Sequence, residues 1–115
     1  MSGETQSYPE LPVSPRAVLP AFQMLSAPQR DTFVAVLQLV DDGTPPSGMR
    51  VVSRVERLGQ PSSQQTIYRA LSELQEYGYL RQFDGEGRAQ QYVPTRNGVA
   101  AFWSAREMEA RAVLS

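Results

Sequence analysis

The densest run of useful chemistry in this sequence is Ser63, Gln64, Gln65, Thr66, Tyr68 and Arg69. Each of these side chains gives or takes hydrogen bonds, and none is negatively charged. A glutamine amide can pair with adenine, and a guanidinium with guanine, through two hydrogen bonds on the major-groove edge. The hydroxyls of Ser63, Thr66 and Tyr68 suit phosphate oxygens. For Tyr68 the plain alternative is a half-buried surface aromatic. The first acids of the segment, Glu73 and Glu76, arrive only after another turn of chain. A second group is Arg50, Arg54 and Arg57, which a helix would bring within about 60° of one another on one face. Such a row can hold phosphates, and it can equally be an ordinary solvated face. Arg88, just past a glycine-containing turn, is the third candidate.

Composition narrows the chemistry further. The chain has 115 residues, room for one domain, and contains neither cysteine nor histidine. Disulfides, thiolate nucleophiles, Cys/His zinc sites and imidazole bases are therefore excluded. Nothing pairs a nucleophile with a base, so no enzyme and no cofactor is expected. Asp41 and Asp42 are adjacent, and a solvated acidic helix end explains them better than a cation site. The net charge is −1, and all eleven basic residues are arginine. Residues 48–96 hold seven of these against five acids, so a mildly basic middle sits on an acidic molecule. The start, MSGETQSYPELPVSP, has no basic region followed by an apolar run, and no stretch is long enough to span a bilayer. A cytoplasmic protein with no membrane partner is the expectation.

The elements that must carry these residues follow from periodicity and punctuation. Residues 1–25 are rich in Pro, Ser and Gly and read as a partly extended arm. Its second half, Val18 to Leu25, is too apolar to float free and should dock on the body or on a partner chain. Ser26 and Gln29 form a capping box with Pro28 in the first turn. The helix they open is apolar nearly all round, through Phe33, Val34, Ala35, Val36, Leu37, Leu39 and Val40, and so is covered from two sides. Gly43 and the Thr-Pro-Pro after it end this helix. A second helix is predicted over about 47–58, with Val51, Val55 and Leu58 inward and Gly59 as its stop. A break, Gly59-Gln60-Pro61-Ser62, precedes a second capping box, Ser62 with Gln65. The third helix runs to about Tyr77, with Ile67, Ala70, Leu71 and Leu74 inward and Gly78 at its end. Two helices across so short a break make a helix-turn-helix. Extended runs at 79–83 and 89–93, joined through Asp84-Gly85, predict a hairpin. A last helix opens near Thr95, with one stripe of Val99, Phe102, Trp103, Ala110 and Val113 and a lesser one of Ala101, Ala105, Met108 and Ala112.

Helix, helix, turn, helix, hairpin, helix is a winged helix-turn-helix: mainly α with a small β-hairpin, α+β in class. Within it, Thr66-Ile67-Tyr68-Arg69-Ala70-Leu71, followed by Leu74, Gly78 and Leu80, resembles the recognition helix of PadR-family transcriptional regulators. Gln91-Tyr92-Val93-Pro94-Thr95 followed by Gly98 is similar to that family's wing exit. The resemblance spans about residues 26–115. Two positions depart from it. Gln65 stands where PadR proteins often have glycine, which bears on how closely the helix start approaches DNA. Pro94 replaces the usual leucine, which alters hydrogen bonding at the end of the wing. The resemblance implies a transcriptional regulator, a repressor for preference.

A helix about 10–12 Å wide fits the major groove, and its N-terminal half approaches the base edges. The expected division of labour follows. Gln64, Gln65 and Arg69 read bases; Arg50, Arg54, Arg57, Ser63, Thr66 and Tyr68 hold phosphates; Arg88 serves the wing. Arg81, close to Asp84 and Glu86, reads as solvated hairpin surface. The chain also carries more apolar area than one winged helix needs, which points to a homodimer buried through Phe22, Leu25, Phe102, Trp103, Met108 and Val113. Double-stranded DNA with a palindromic site is the expected partner. The expected layout is an arm over 1–25, the DNA-binding winged helix over 26–96 and a dimerisation helix over 97–115. A ligand cavity lined by Phe102 and Trp103 competes with dimer core for those two residues, and the dimer core is the better reading. No sequence feature calls for a small-molecule effector. A protein-binding adaptor without DNA binding is the alternative, consistent with the low net charge and the acidic wing tip.

Overall fold

The computed structural model describes residues 19–59, 62–84 and 90–114. Most of the arm, and Gly85, Glu86, Gly87 and Arg88 at the hairpin tip, lie outside the described residues.

Helix α1 (Ala27–Asp41) opens with the expected capping box. The Gln29 backbone N–H donates to Ser26 Oγ at 3.3 Å, and the Ser26 N–H donates to Gln29 Oε1 at 2.9 Å. Phe33, Ala35, Val36 and Leu39 are buried, while Val34, Leu37 and Val40 pack partly buried against the same core. The all-round apolar character has its explanation in position. Helices α2 (Gly48–Arg57) and α3 (Gln64–Tyr77) and the second hairpin strand all pack on α1.

The Ser47 hydroxyl caps α2 by accepting from the Arg50 N–H, and Gly59, at φ 82°, lies just past its end. At α3 the cap differs from expectation by one residue. Ser63, not Ser62, accepts from the Thr66 N–H at 3.1 Å, and its hydroxyl lies 2.9 Å from that of Thr66. Either serine satisfies a cap pattern by type, and the cap preference of the residue alone does not separate them. The consequence is that Gln65 has no capping task and stays exposed. Gly78, at φ 90°, turns the chain out of α3 in the left-handed conformation. The Tyr79 N–H returns to the Leu74 carbonyl at 2.8 Å, closing the helix end.

Strands β1 (Leu80–Asp84) and β2 (Gln90–Pro94) pair antiparallel from Leu80↔Pro94 to Asp84↔Gln90. β1 begins one residue later than expected, because Tyr79 is drawn into the close of α3, and β2 runs to Pro94, next to the Thr95 that starts the following helix. The Thr95 hydroxyl accepts from the Gly98 N–H at 2.9 Å and donates to the Gly78 carbonyl at 2.6 Å, so it starts α4 (Arg96–Leu114) and ties that start to the end of α3. The segment before α2 joins the hairpin: Ser47 bridges Gln91, and the Tyr92 N–H donates to the Pro46 carbonyl at 3.0 Å. Among the described residues the fold is a winged helix-turn-helix, four α-helices with a two-stranded wing.

The described end of the arm changes one expectation. Phe22, in a 3-10 turn over Phe22–Met24, and Leu25 are 9% and 3% exposed within the single chain. Phe22 meets Phe102 edge-on with centroids 5.2 Å apart, and Phe33 and Tyr79 at 6.1 and 6.4 Å. Both residues belong to the chain's own core and offer no surface to a second copy. Of the described arm, Phe22 and Leu25 are used in the chain's own core, while Met24 is exposed.

Candidate nucleic-acid interface

Helix α3 divides cleanly by face. Ile67, Ala70, Leu71 and Leu74 are buried against the body, while Gln64, Gln65, Arg69 and Ser72 are exposed. Ser63 is exposed at the N-terminus, and Thr66 and Tyr68 are half-buried on the flank. The two acids separate. Glu73 turns toward α1, where Gln29 Nε2 donates to its Oε1 at 2.8 Å, and only Glu76 is exposed at the distal end. The outward face of the first half of α3 is therefore hydrogen-bonding and cationic. The helix dipole adds partial positive charge at the same end.

Tyr68 leans from α3 over the first residue of α2, Gly48. Its neighbour on the wing is Tyr92, whose pKa is raised first by burial and then by the nearby Tyr68 hydroxyl. Met49, 59% exposed, stands beside the start of α3, where its sulfur accepts from Gln64 Nε2 at 3.8 Å. Sequence reasoning missed Met49. Helical periodicity places it on the outward side of α2, but only tertiary packing sets it next to Gln64.

The arginine row is not one surface. Arg50 is exposed and its Nη1 donates to the Pro45 carbonyl at 3.2 Å. Arg54 is engaged within the fold: it donates to Gln38 Oε1 at 3.2 Å and forms an ion pair with Asp42 at 2.8 Å, its side chain 17% exposed. Arg57 is exposed. In place of three equivalent cations, α2 offers two outward arginines around one that fastens it to α1.

On the wing, Arg81 and Phe83 are exposed on one face of β1. The opposite face carries a chain of amides. Gln75 of α3 donates to Gln82 of β1 at 3.0 Å, and Gln82 donates in turn to Gln90 of β2.

Helix α4 docks through its first half, where Ala105 is buried and Val99, Ala101 and Phe102 are half-buried. Beyond that its apolar residues face outward: Trp103, Met108 and Val113 are 61%, 59% and 83% exposed. A shallow recess beside Trp103 is lined by Ala100, Ser104, Arg106 and Glu107, all from α4, and does not open between α4 and the body. Among the described residues there is no cluster of acids fit to hold a metal, and no helix long and apolar enough to cross a membrane.

Several solved structures share this fold. A transcriptional regulator from Clostridium thermocellum, Cth-833, aligns at TM-score 0.56 with 17% identity, over 79% of this chain and 94% of that one. SSV1 F-93 aligns at TM-score 0.53 with 17% identity, over 80% and 97% of the two chains. The protein smu.1704 from Streptococcus mutans UA159 aligns at TM-score 0.52 with 18% identity, over 76% and 89%. At such identities the likeness is one of fold. No family model matches the sequence, and no curated protein matches it.

Proposed function

We propose that this protein is a sequence-specific regulator of transcription that binds double-stranded DNA as a homodimer, and, following the PadR-like resemblance, that it represses. One observation carries the reading: the leading half of α3 turns its uncharged and cationic side chains outward, while Glu73 is held against α1. Gln64, Gln65 and Arg69 read bases. Ser63, Thr66, Tyr68, Arg50 and Arg57 hold phosphates, with Arg88 serving the wing and Arg54 holding α2 in place. Residues 26–96 form the DNA-binding unit, with Phe22 and Leu25 of the arm packed on it. Residues 97–115 form the dimerisation helix through Trp103, Met108 and Val113, the exposed apolar residues of α4. A two-fold pair sets two recognition helices roughly 34 Å apart, one turn of a palindromic duplex. That a structural neighbour is described as a transcriptional regulator supports the reading at the level of fold.

The test is selection of bound sequences from a random duplex pool, followed by affinity measurements across salt. A DNA-binding protein enriches a palindromic consensus and weakens linearly on a log–log salt plot. Within it, Arg69→Ala costs about 1–3 kcal/mol and relaxes preference at one position. Failure to enrich any sequence would favour the adaptor reading, which the −1 net charge supports.

A further inference from the structure

Gly48 is buried at the first position of α2, and its backbone does not demand a glycine, since it is not among those with positive φ. Alanine is the better helix former. What stands against it is Tyr68 in its present position. A Cβ on Gly48 would lie 2.6 Å from the Tyr68 hydroxyl oxygen, 2.7 Å from Cε1 and 2.9 Å from Cζ. Comfortable carbon contacts are about 3.5–4.0 Å, so a methyl group and the tyrosine cannot share this space. The atoms concerned are the far end of the tyrosine, the end that carries its hydrogen-bonding group. The ring therefore crosses from α3 to the start of α2 and rests there because the position beneath it is bare.

We propose that Gly48 is a positioning residue of the DNA-binding site: its bare Cα lets Tyr68 lie across the start of α2 and hold its hydroxyl at the junction of the two helices, where it meets a DNA phosphate. The inference rests on the DNA-binding reading above. It assigns Gly48 a role that helix geometry alone would not give it.

The experiment uses the full chain and a duplex selected from the random pool, at fixed salt, with melting temperature recorded for every variant. Tyr68→Phe keeps the ring and removes the contact, and should weaken binding about tenfold at an unchanged melting temperature. Gly48→Ala should weaken binding at least as much. Added to Tyr68→Phe, it should cost less than about twofold more, because the hydroxyl whose placement it disturbs is already gone. Should Gly48→Ala alone fold poorly, the pair Gly48→Ala with Tyr68→Ala, where the methyl takes the vacated space, should fold and bind as Tyr68→Ala does. Wild-type affinity in Gly48→Ala or in Tyr68→Phe overturns the inference, as do fully additive losses or a double alanine variant weaker than Tyr68→Ala. Absence of binding by the unaltered protein to any duplex in the pool sinks the regulator reading first and this inference with it, an outcome distinct from all the others.

Discussion

The phenol hydroxyl of Tyr79 donates to the Pro20 carbonyl at 2.6 Å, tying the described end of the arm to the second residue past α3. Burial pushes the Tyr79 pKa up to about 12, above its ordinary value of 10.0, because the neutral form is the one the site accommodates. Between these values the folded state keeps a proton that the unfolded state has lost. Stability is therefore full below about pH 10 and declines as pH rises toward 12. Burial of Tyr92 acts in the same direction. Urea unfolding at pH 8, 10 and 11 should show this decline. Tyr79→Phe should shrink it while costing about 0.5–1.5 kcal/mol at neutral pH, where Pro20 loses its donor.

The arginines of α2 should separate in their effects. Arg57 is exposed, so Arg57→Ala should lower the salt slope of DNA binding by about 1 without altering stability. Arg54 is bound to Asp42 and Gln38. Arg54→Ala should cost stability, by less than about 1 kcal/mol because Asp42 is half exposed, and should alter DNA affinity less than Arg57→Ala does. Equal salt slopes for the two variants would refute the split row.

The apolar residues of the arm and those of α4 should behave in two ways. Trp103→Arg combined with Met108→Glu places charge on the exposed side of α4, and should yield a folded monomer by sedimentation with weakened DNA binding. Phe22→Ala should instead destabilise the fold by about 3–5 kcal/mol, since its ring packs against Phe33, Tyr79 and Phe102. A dimer unaffected by the α4 changes would remove that helix from the interface.

Gly98 offers a test of packing independent of any partner. A Cβ there would meet the Tyr79 carbonyl oxygen at 2.6 Å and its Cα at 2.9 Å, both backbone atoms that cannot swing aside. Alanine normally helps a helix, yet Gly98→Ala should lower stability by about 1–3 kcal/mol in chemical denaturation.

The helices were legible because their inner stripes are regular: Ile67, Ala70, Leu71 and Leu74 all lie where a helical repeat puts them. The outward character of Gln64, Gln65 and Arg69 followed from the same repeat. What sequence could not supply was the identity of neighbours distant along the chain. Spacing puts Arg54 in a row with Arg50 and Arg57, but the acid that claims it comes from the end of α1. Apolar residues at 22 and 25 look like surplus until the pocket formed by α1, α4 and Tyr79 takes them in. The cap falls on Ser63, not Ser62, and this was not legible because two adjacent serines are equivalent by residue preference and local sequence does not separate them.

The run of amides from Gln75 through Gln82 to Gln90 has a mechanical consequence. It links the hairpin to the helix beside it, so that in the proposed complex α3 and the wing would keep a fixed spread against the duplex. A pair of elements so joined would meet a mismatched groove spacing by bending the nucleic acid more than by flexing at its own root. Sequences that bend easily would then be favoured at steps no side chain touches, and the stiffness of the double helix becomes part of what is recognised.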